Sequence, residues 1–493
     1  MKKYILELVV FVSGAVVMVF EIVGSRVLSP YIGNSVFVWT SLIGIILGSL
    51  SLGYWLGGKL SDKKANYKTL SWIIFISAIL ISVVTLVKEP TLIFLQQIIE
   101  NFKLRSILST ITLFSLPSIF LGMVSPYAVK LKINSLETSG STVGNLYAIS
   151  TIGSIVGTFG AGFWLIPIFG TTKILLLLSI ILALVSILLF TKKGVPAKLY
   201  FLAIIISSLL ITNIVDAAKI ANDFIDVDTQ YSRIIIHNAT DSTTKQRIKR
   251  MSIDGNASSA MFLENDDLVF EYTKYYDLAK HFNPDFKTSL LLGGAAFSYP
   301  KYYLREYPDA SIDVVEIDPK VTKLAKEYFR LEEDSRLQIF HEDGRTFLNT
   351  TNKKYDVVFG DAFSSFYSLP YQLTTKEAVQ KTYDVLNDNG VALVNIISAI
   401  EGDKGKFLRA EYATYKSIFP HVYIVPVANP GDAFHIQNIM LIALKGDVPP
   451  SFESEDSEIN SRLDHVWKKE IPDDIPILTD EYAPVDYYIY QLM

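Results

Sequence analysis

The 493-residue chain has no cysteine. That excludes disulfides, thiolate metal centres and a cysteine nucleophile, and leaves the compartment open. Histidine is scarce as well: there are six, none at metal-ligand spacing, so no metal site is expected. Acidic residues are nearly missing from positions 1–216, which hold 7 Asp/Glu against 16 Lys/Arg, whereas positions 217–493 hold 43 against 29. The acidic second part argues against nucleic acid as a partner. A complete G-x-G-x-x-G is also lacking, so a nucleotide-binding turn has to be argued from more than its glycines.

What is present divides along the same line as the charge. Half of the chain is hydrophobic and mean hydropathy is +0.31, with the apolar residues crowded before position 217. Seven stretches there are long enough to span a bilayer at about 20 residues each: near 4–22, 36–57, 70–88, 106–127, 143–168, 172–191 and 199–215. Gly44, Gly48, Gly53, Gly57, Gly153, Gly157 and Gly160 recur at helical spacing and are expected to let helices pack closely. Pro117 and Pro126 should kink or end the fourth span. Glu21 is expected to form an interfacial ion pair with Arg26 or Lys59. With a cytoplasmic N-terminus, eleven Lys/Arg fall on the cytoplasmic side of this half and five on the other. The positive-inside rule then places a soluble domain that follows seven spans outside the cytoplasm.

The second half is organised around Ser289 to Gly344. An apolar run, Leu290 to Leu292, ends in Gly293-Gly294; a second, Ile312 to Ile317, contains Glu316 and is followed by Asp318; a third, Arg336 to Phe340, ends in Glu342-Asp343-Gly344. Strand, glycine turn, helix and strand with a terminal acid is the pattern of a doubly wound nucleotide-binding sheet, in which the acid is placed to bond ribose hydroxyls. Glu316 lies 23 residues past Gly293, which fits. Further strands are expected at Tyr355 to Asp361, Gly390 to Ile397, Val422 to Val427 and Ile439 to Leu444, and helices at Leu268 to Phe282 and Thr375 to Leu386. Tyr231 to His237 and Arg247 to Asp254 read as a hairpin, and 449–470 as a polar surface excursion. Glu316, Asp343 and Asp361 would then share the carboxyl edge of the sheet.

These residues resemble the spermidine synthase (polyamine aminopropyltransferase) family, within the class I S-adenosylmethionine-dependent, Rossmann-like fold. The likeness runs from about Tyr231 to Ile397 through the hairpin, Ile253-Asp254-Gly255, LLLGG, VVEIDP, EDG and FGDAFSS. The whole chain looks like the membrane-fused members, with SPYIGNSVFVWTSLIGIILGSLSLGYWLGGKLSD (29–62) and ILTDEYAPVDYY (477–488). The resemblance implies an all-α polytopic membrane domain over 1–216 and an α/β catalytic domain over 217–493, divided into a β hairpin (228–256), a Rossmann-like core (268–445) and a C-terminal extension (446–493). It implies no bound cofactor but a co-substrate, decarboxylated S-adenosylmethionine or S-adenosylmethionine. Gly293, Gly294, Glu316, Asp318, Asp343 and Gly344 would hold the nucleoside, Glu316 at the ribose and Asp343 at the adenine, and Asp361 would take the proton of an attacking amine. On the amine side, alongside Tyr231, the chain departs from the family: Ala296 and Ser364 stand where acids are expected, Ser232 and Ser258 where glutamines are. Losing carboxylates weakens ammonium binding, so the acceptor need not be putrescine.

Three readings follow. The first is a membrane-anchored transferase of the aminopropyltransferase type, acting on a small amine or another acceptor. The second keeps the fold and changes the reaction, to methyl transfer or to cleavage of S-adenosylmethionine. The third is a transporter or sensor whose soluble half only binds ligand. The expected partners are the lipid bilayer and a small-molecule acceptor, not nucleic acid; an oligomer is compatible with all three.

Overall fold

The computed structural model describes residues 4–133, 135, 137–189, 195–362 and 370–491. It divides into two compact units, Met1–Ile234 and Ile235–Met493; position 216 lies inside a helix.

Among the described residues, unit 1 contains seven helices long and apolar enough to cross a membrane: α1 (Ile5–Ile32), α2 (Val36–Lys63), α3 (Tyr67–Ile98), α4 (Phe102–Lys132), α5 (Ser139–Ile168), α6 (Thr171–Leu188) and α7 (Pro196–Ala221). Neither proline ends α4. A π-helical turn, Ile111–Ser115, stands just ahead of Pro117 and widens the helix where the ring would clash with the preceding turn. The same arrangement recurs in α5, where Ala161–Leu165 precedes Pro167. Close packing is confined to some of the glycines. A Cβ on Gly153 or Gly157 would lie 2.1 or 2.4 Å from the carbonyl oxygens of Phe11 and Ala15 on α1. One on Gly53 or Gly57 would meet Ile119 and Met123 of α4 at 2.2 and 2.6 Å. In both pairs the positions rise together, so α1 runs parallel to α5 and α2 to α4. Gly44, Gly48 and Gly160, expected to do the same, face open space. The ion pair expected at Glu21 does not form: Arg26 donates to the backbone oxygens of Thr229, at 2.6 Å, and Tyr231. Lys59 stands 3.9 Å over the Trp55 ring. The apolar face of α7 is exposed at Leu199, Ile204, Leu210 and Ile214, a surface suited to lipid rather than water. Unit 1 ends with a short strand, β1 (Ile225–Asp228), whose Asp228 accepts from the Thr171 amide at the start of α6 at 2.7 Å.

Unit 2 starts with β2 (Arg233–Thr240), β3 (Arg247–Ile253) and β4 (Asn256–Phe262), neighbours in one sheet. The hairpin was legible, whereas β4 was not: Asn256-Ala257-Ser258-Ser259 gives no alternation, and its pairing with β3 carries an irregularity between Met251 and Ser252. The helix expected over Leu268 to Phe282 is broken into α8 (Glu271–Lys274), a 3-10 turn and α9 (Leu278–Phe282). The main sheet has seven strands in the order β10-β11-β9-β8-β5-β6-β7. They are β5 (Thr288–Leu292), β6 (Ser311–Val315), β7 (Leu337–Phe340), β8 (Tyr355–Gly360), β9 (Leu386–Ser398), β10 (His421–Pro426) and β11 (Gln437–Leu444). β5 to β9 are parallel, and β10 and β11 antiparallel. β9 starts four residues before the expected Gly390. Asn387-Asp388-Asn389-Gly390 reads as a turn, but the strand absorbs it as an irregularity against β8. The helices α10 (Ser298–Glu306), α11 (Pro319–Tyr328), α12 (Gly344–Thr350), α13 (Lys376–Val385) and α14 (Lys406–Lys416) follow β5, β6, β7, β8 and β9 in turn. Within 449–470, expected to be only a polar excursion, α15 (Ser457–Leu463) buries Ile459 and Leu463 in the core; α16 (Val485–Tyr490) closes the chain.

Candidate functional site

Chain order reverses at β5: β6 and β7 lie on one side of it, β8 and β9 on the other. The carboxyl ends of the strands at such a switch point open a crevice for ligands. Register places the ends side by side, with Leu292 opposite both Val315 and Gly360. The residues that follow are therefore Gly293, Glu316 and Asp361. Gly293 has φ +97, and a Cβ there would stand 2.4 Å from the Asp361 carbonyl oxygen. Only glycine lets this turn pass so close to β8.

Glu316 is buried and holds the glycine turn itself. Its Oε2 accepts the amides of Gly294 and Ala295, each at 3.1 Å, and its Oε1 the amide of Asp318 at 3.0 Å. Burial pushes its carboxyl up, while these three N–H groups pull the other way. A carboxylate offers about four acceptor positions, so roughly one remains open, on Oε1. Asp318 caps α11 by accepting from the Lys320 amide at 2.9 Å, and its Oδ2 is buried with no hydrogen-bond partner among the described residues.

Asp361 has the most perturbed chemistry of the group. Tyr272 donates to Oδ2 at 3.0 Å and Asn395 to Oδ1 at 3.1 Å. Asn395, buried on β9, is itself oriented by Asn438 of β11, whose amide donates to its oxygen at 2.9 Å. Burial pushes the Asp361 carboxyl up to about 6, against the lowering effect of Asn395, Tyr272 and Tyr276. The Tyr276 hydroxyl acts from nearby without a hydrogen bond of normal geometry. Part of the Asp361 surface remains exposed. A partly exposed carboxyl that is raised to about 6 and fixed by two donors is suited to accept a proton.

Asp343 caps α12, accepting from the Thr346 amide at 3.0 Å, and its Oδ2 accepts from Gln372 at 3.2 Å. Gly344 follows, against the Leu373 side chain. The remaining candidates are placed differently. Ala296 is fully buried, so its methyl group lines no open surface. The Ser258 hydroxyl donates to the Asn256 oxygen, 3.2 Å away on its own strand. Tyr231 and Ser232 belong to unit 1, where the Thr229 hydroxyl accepts both their amides at 3.0 Å. Ser364 lies outside the described residues. Among those described, no cluster of His, Asp and Glu has the geometry to hold a metal. Sequence reasoning passed over Tyr272, Asn395 and Gln372. Only Asn395 carries a local signal, a lone amide inside the apolar strand VALVNII.

Residues 267–429 match the spermine/spermidine synthase domain. The chain is 30% identical over 159 residues to a polyamine aminopropyltransferase of Vibrio vulnificus, covering 32% of this chain and 51% of that one. It is 24% identical over 399 residues to polyamine aminopropyltransferase 2 of Aquifex aeolicus, covering 76% and 77%. It spans about half the length of the first of these relatives. Among solved structures, a probable spermidine synthase from Corynebacterium glutamicum aligns over 48% of this chain and 84% of its own, at 24% identity and a TM-score of 0.41. Residues 267–429 thus match the spermine/spermidine synthase domain, and the chain is similar to polyamine aminopropyltransferases.

Proposed function

We propose that unit 2 is a transferase of the polyamine aminopropyltransferase type, anchored in a bilayer by the helices of unit 1, that takes an alkyl group from an adenosyl sulfonium donor. The observation that carries this reading is Asp361, a carboxyl near pKa 6 at the end of β8, held by Tyr272 and Asn395 and touching the Gly293 turn. Gly293, Gly294, Glu316, Asp318, Asp343 and Gly344 form the nucleoside side, with the open Oε1 position of Glu316 on a ribose hydroxyl. The acceptor nitrogen attacks the carbon bound to sulfur. The C–S bond breaks with its electron pair going to sulfur, which leaves a neutral thioether, and the new ammonium passes its proton to Asp361. The single positive charge moves from sulfur to the attacking nitrogen, and a carboxylate beside that nitrogen stabilises the charge as it develops there. Tyr272 and Asn395 keep Asp361 aimed while it changes charge.

A second reading is favoured by one observation: the turn residue Ala296 is uncharged and buried, so no acid there selects a decarboxylated donor. Intact S-adenosylmethionine would then be admitted, with methyl transfer or cleavage as the reaction. Incubating the full chain in detergent with either donor, with and without putrescine, and identifying products by mass spectrometry separates these. Methylthioadenosine together with an aminopropylated amine is the expected outcome. Adenosylhomocysteine from intact donor would move the protein to the second reading, and no turnover of either donor would overturn both.

A further inference from the structure

The C-terminal stretch from Leu478 to Pro484 has no part in the chemistry above, yet it is bonded into the wall that carries Asp343. The Lys376 amide donates to the Leu478 oxygen at 2.8 Å, and the Leu478 amide to the Thr414 hydroxyl at 2.9 Å. Thr479 and Tyr482 exchange two backbone bonds of 3.0 Å, which pins Asp480 in a tight turn. Both carboxylate oxygens and the amide of Asp480 are engaged. Oδ2 accepts from Arg345 at 2.8 Å, Oδ1 accepts from the Thr375 hydroxyl at 2.6 Å, and the amide donates to Glu377 at 2.9 Å. The other terminal nitrogen of Arg345 donates to the Gln372 carbonyl at 3.1 Å and the Thr375 hydroxyl at 3.0 Å. Gln372 then donates its side-chain amide to Asp343. Thr375 is fully buried and Arg345 largely so, so this guanidinium is held in one plane by partners on both sides.

We propose that Asp480 is a positioning residue for the nucleoside: through Arg345 and Thr375 it holds Gln372 against Asp343 and so fixes the carboxylate that meets the adenine ring. The inference rests on the assignment of Asp343 to the nucleoside in the proposed function. It gives the C-terminal segment a role in donor affinity and none in proton transfer, since no bond of the set reaches Asp361.

The test uses the full chain in detergent and 5′-methylthioadenosine, the donor's nucleoside part without its transferable group. Titration calorimetry is run on wild type, Asp480→Asn, Gln372→Ala and the double variant. Losing one charged hydrogen bond of the relay is expected to weaken binding by about tenfold in Asp480→Asn. The KM for the donor rises in step while kcat stays within about twofold, and the double variant binds no more weakly than Gln372→Ala alone. Arg345→Gln probes the same link from its other end if Asp480→Asn does not fold. Unchanged affinity in Asp480→Asn, additive losses in the double variant, or a loss confined to kcat would overturn the proposal. Failure of the wild type itself to bind the nucleoside would instead remove the assignment of Asp343, and this inference with it.

Discussion

Asp361 carries an energetic cost that its proposed role explains. A carboxyl raised to about 6 in the fold, against about 3.9 in an unfolded chain, binds its proton more tightly when folded. Stability from this group is therefore fully present below about pH 4 and is lost as the pH climbs through 6. The shift of roughly two units corresponds to about 3 kcal/mol at neutral pH. Asp361→Asn should accordingly melt several degrees above wild type at pH 7.5, with the gap closing toward pH 4, as differential scanning calorimetry would record. The same residue sets the activity profile: as a base it must be ionised, so kcat/KM should fall with one-proton slope below about pH 6. Rate measurements flat from pH 5 to 8 would deny Asp361 that task. The strand-end places of Glu316, Asp343 and Asp361 were legible because each closes an apolar run. Tyr272 was not, being one of 27 tyrosines, and Asn395 meets Asp361 only because β9 lies beside β8, which no local pattern encodes.

On the scale of elements, α14 holds a feature outside the site. Glu411 is buried, its Oε1 has no hydrogen-bond partner among the described residues, and burial alone pushes its carboxyl well up. The sign is again that of a raised acid: stability is greatest below the unfolded pKa and is lost as pH rises toward the folded value. Glu411→Gln should therefore raise the melting temperature at pH 8 more than at pH 5. A variant less stable than wild type at pH 8 but not at pH 5 would show a role for the ionised form. In unit 1, Gly157→Leu would drive a side chain into the Ala15 backbone, 2.4 Å from where its Cβ falls. Overpacking costs about 1–3 kcal/mol, so the purified variant should melt lower, whereas Gly44→Leu, facing open space, should not. The glycine spacing showed that helices could approach closely; it did not say which glycines face a neighbour, because each sits on a helix whose rotation the spacing leaves free.

For the whole molecule, the charge asymmetry drew the line between an apolar half and an α/β half. The seven spans came from length and hydropathy alone, with ends short by several residues where polar caps continue the helix. The order of the main sheet was only partly legible: parallel strands alternating with helices announced it, but the placing of β10 and β11 as an antiparallel edge depends on contacts far apart in sequence. The positive charge of the loops predicts that unit 2 faces away from the cytoplasm. A chain without cysteine makes this directly testable. Glu455→Cys, at an exposed position of unit 2, should react with a membrane-impermeant maleimide on intact cells, and labelling only after lysis would reverse the orientation.

In the proposed function, Asp361 moves the proton of a sulfonium-dependent transfer. Its most direct measurement is a single-turnover assay of Asp361→Asn beside calorimetric binding of 5′-methylthioadenosine. Nucleoside affinity is expected to stay within about threefold of wild type while turnover slows by at least 10²-fold, the usual scale for removing a general base. Turnover at the wild-type rate by a variant that binds normally would contradict it.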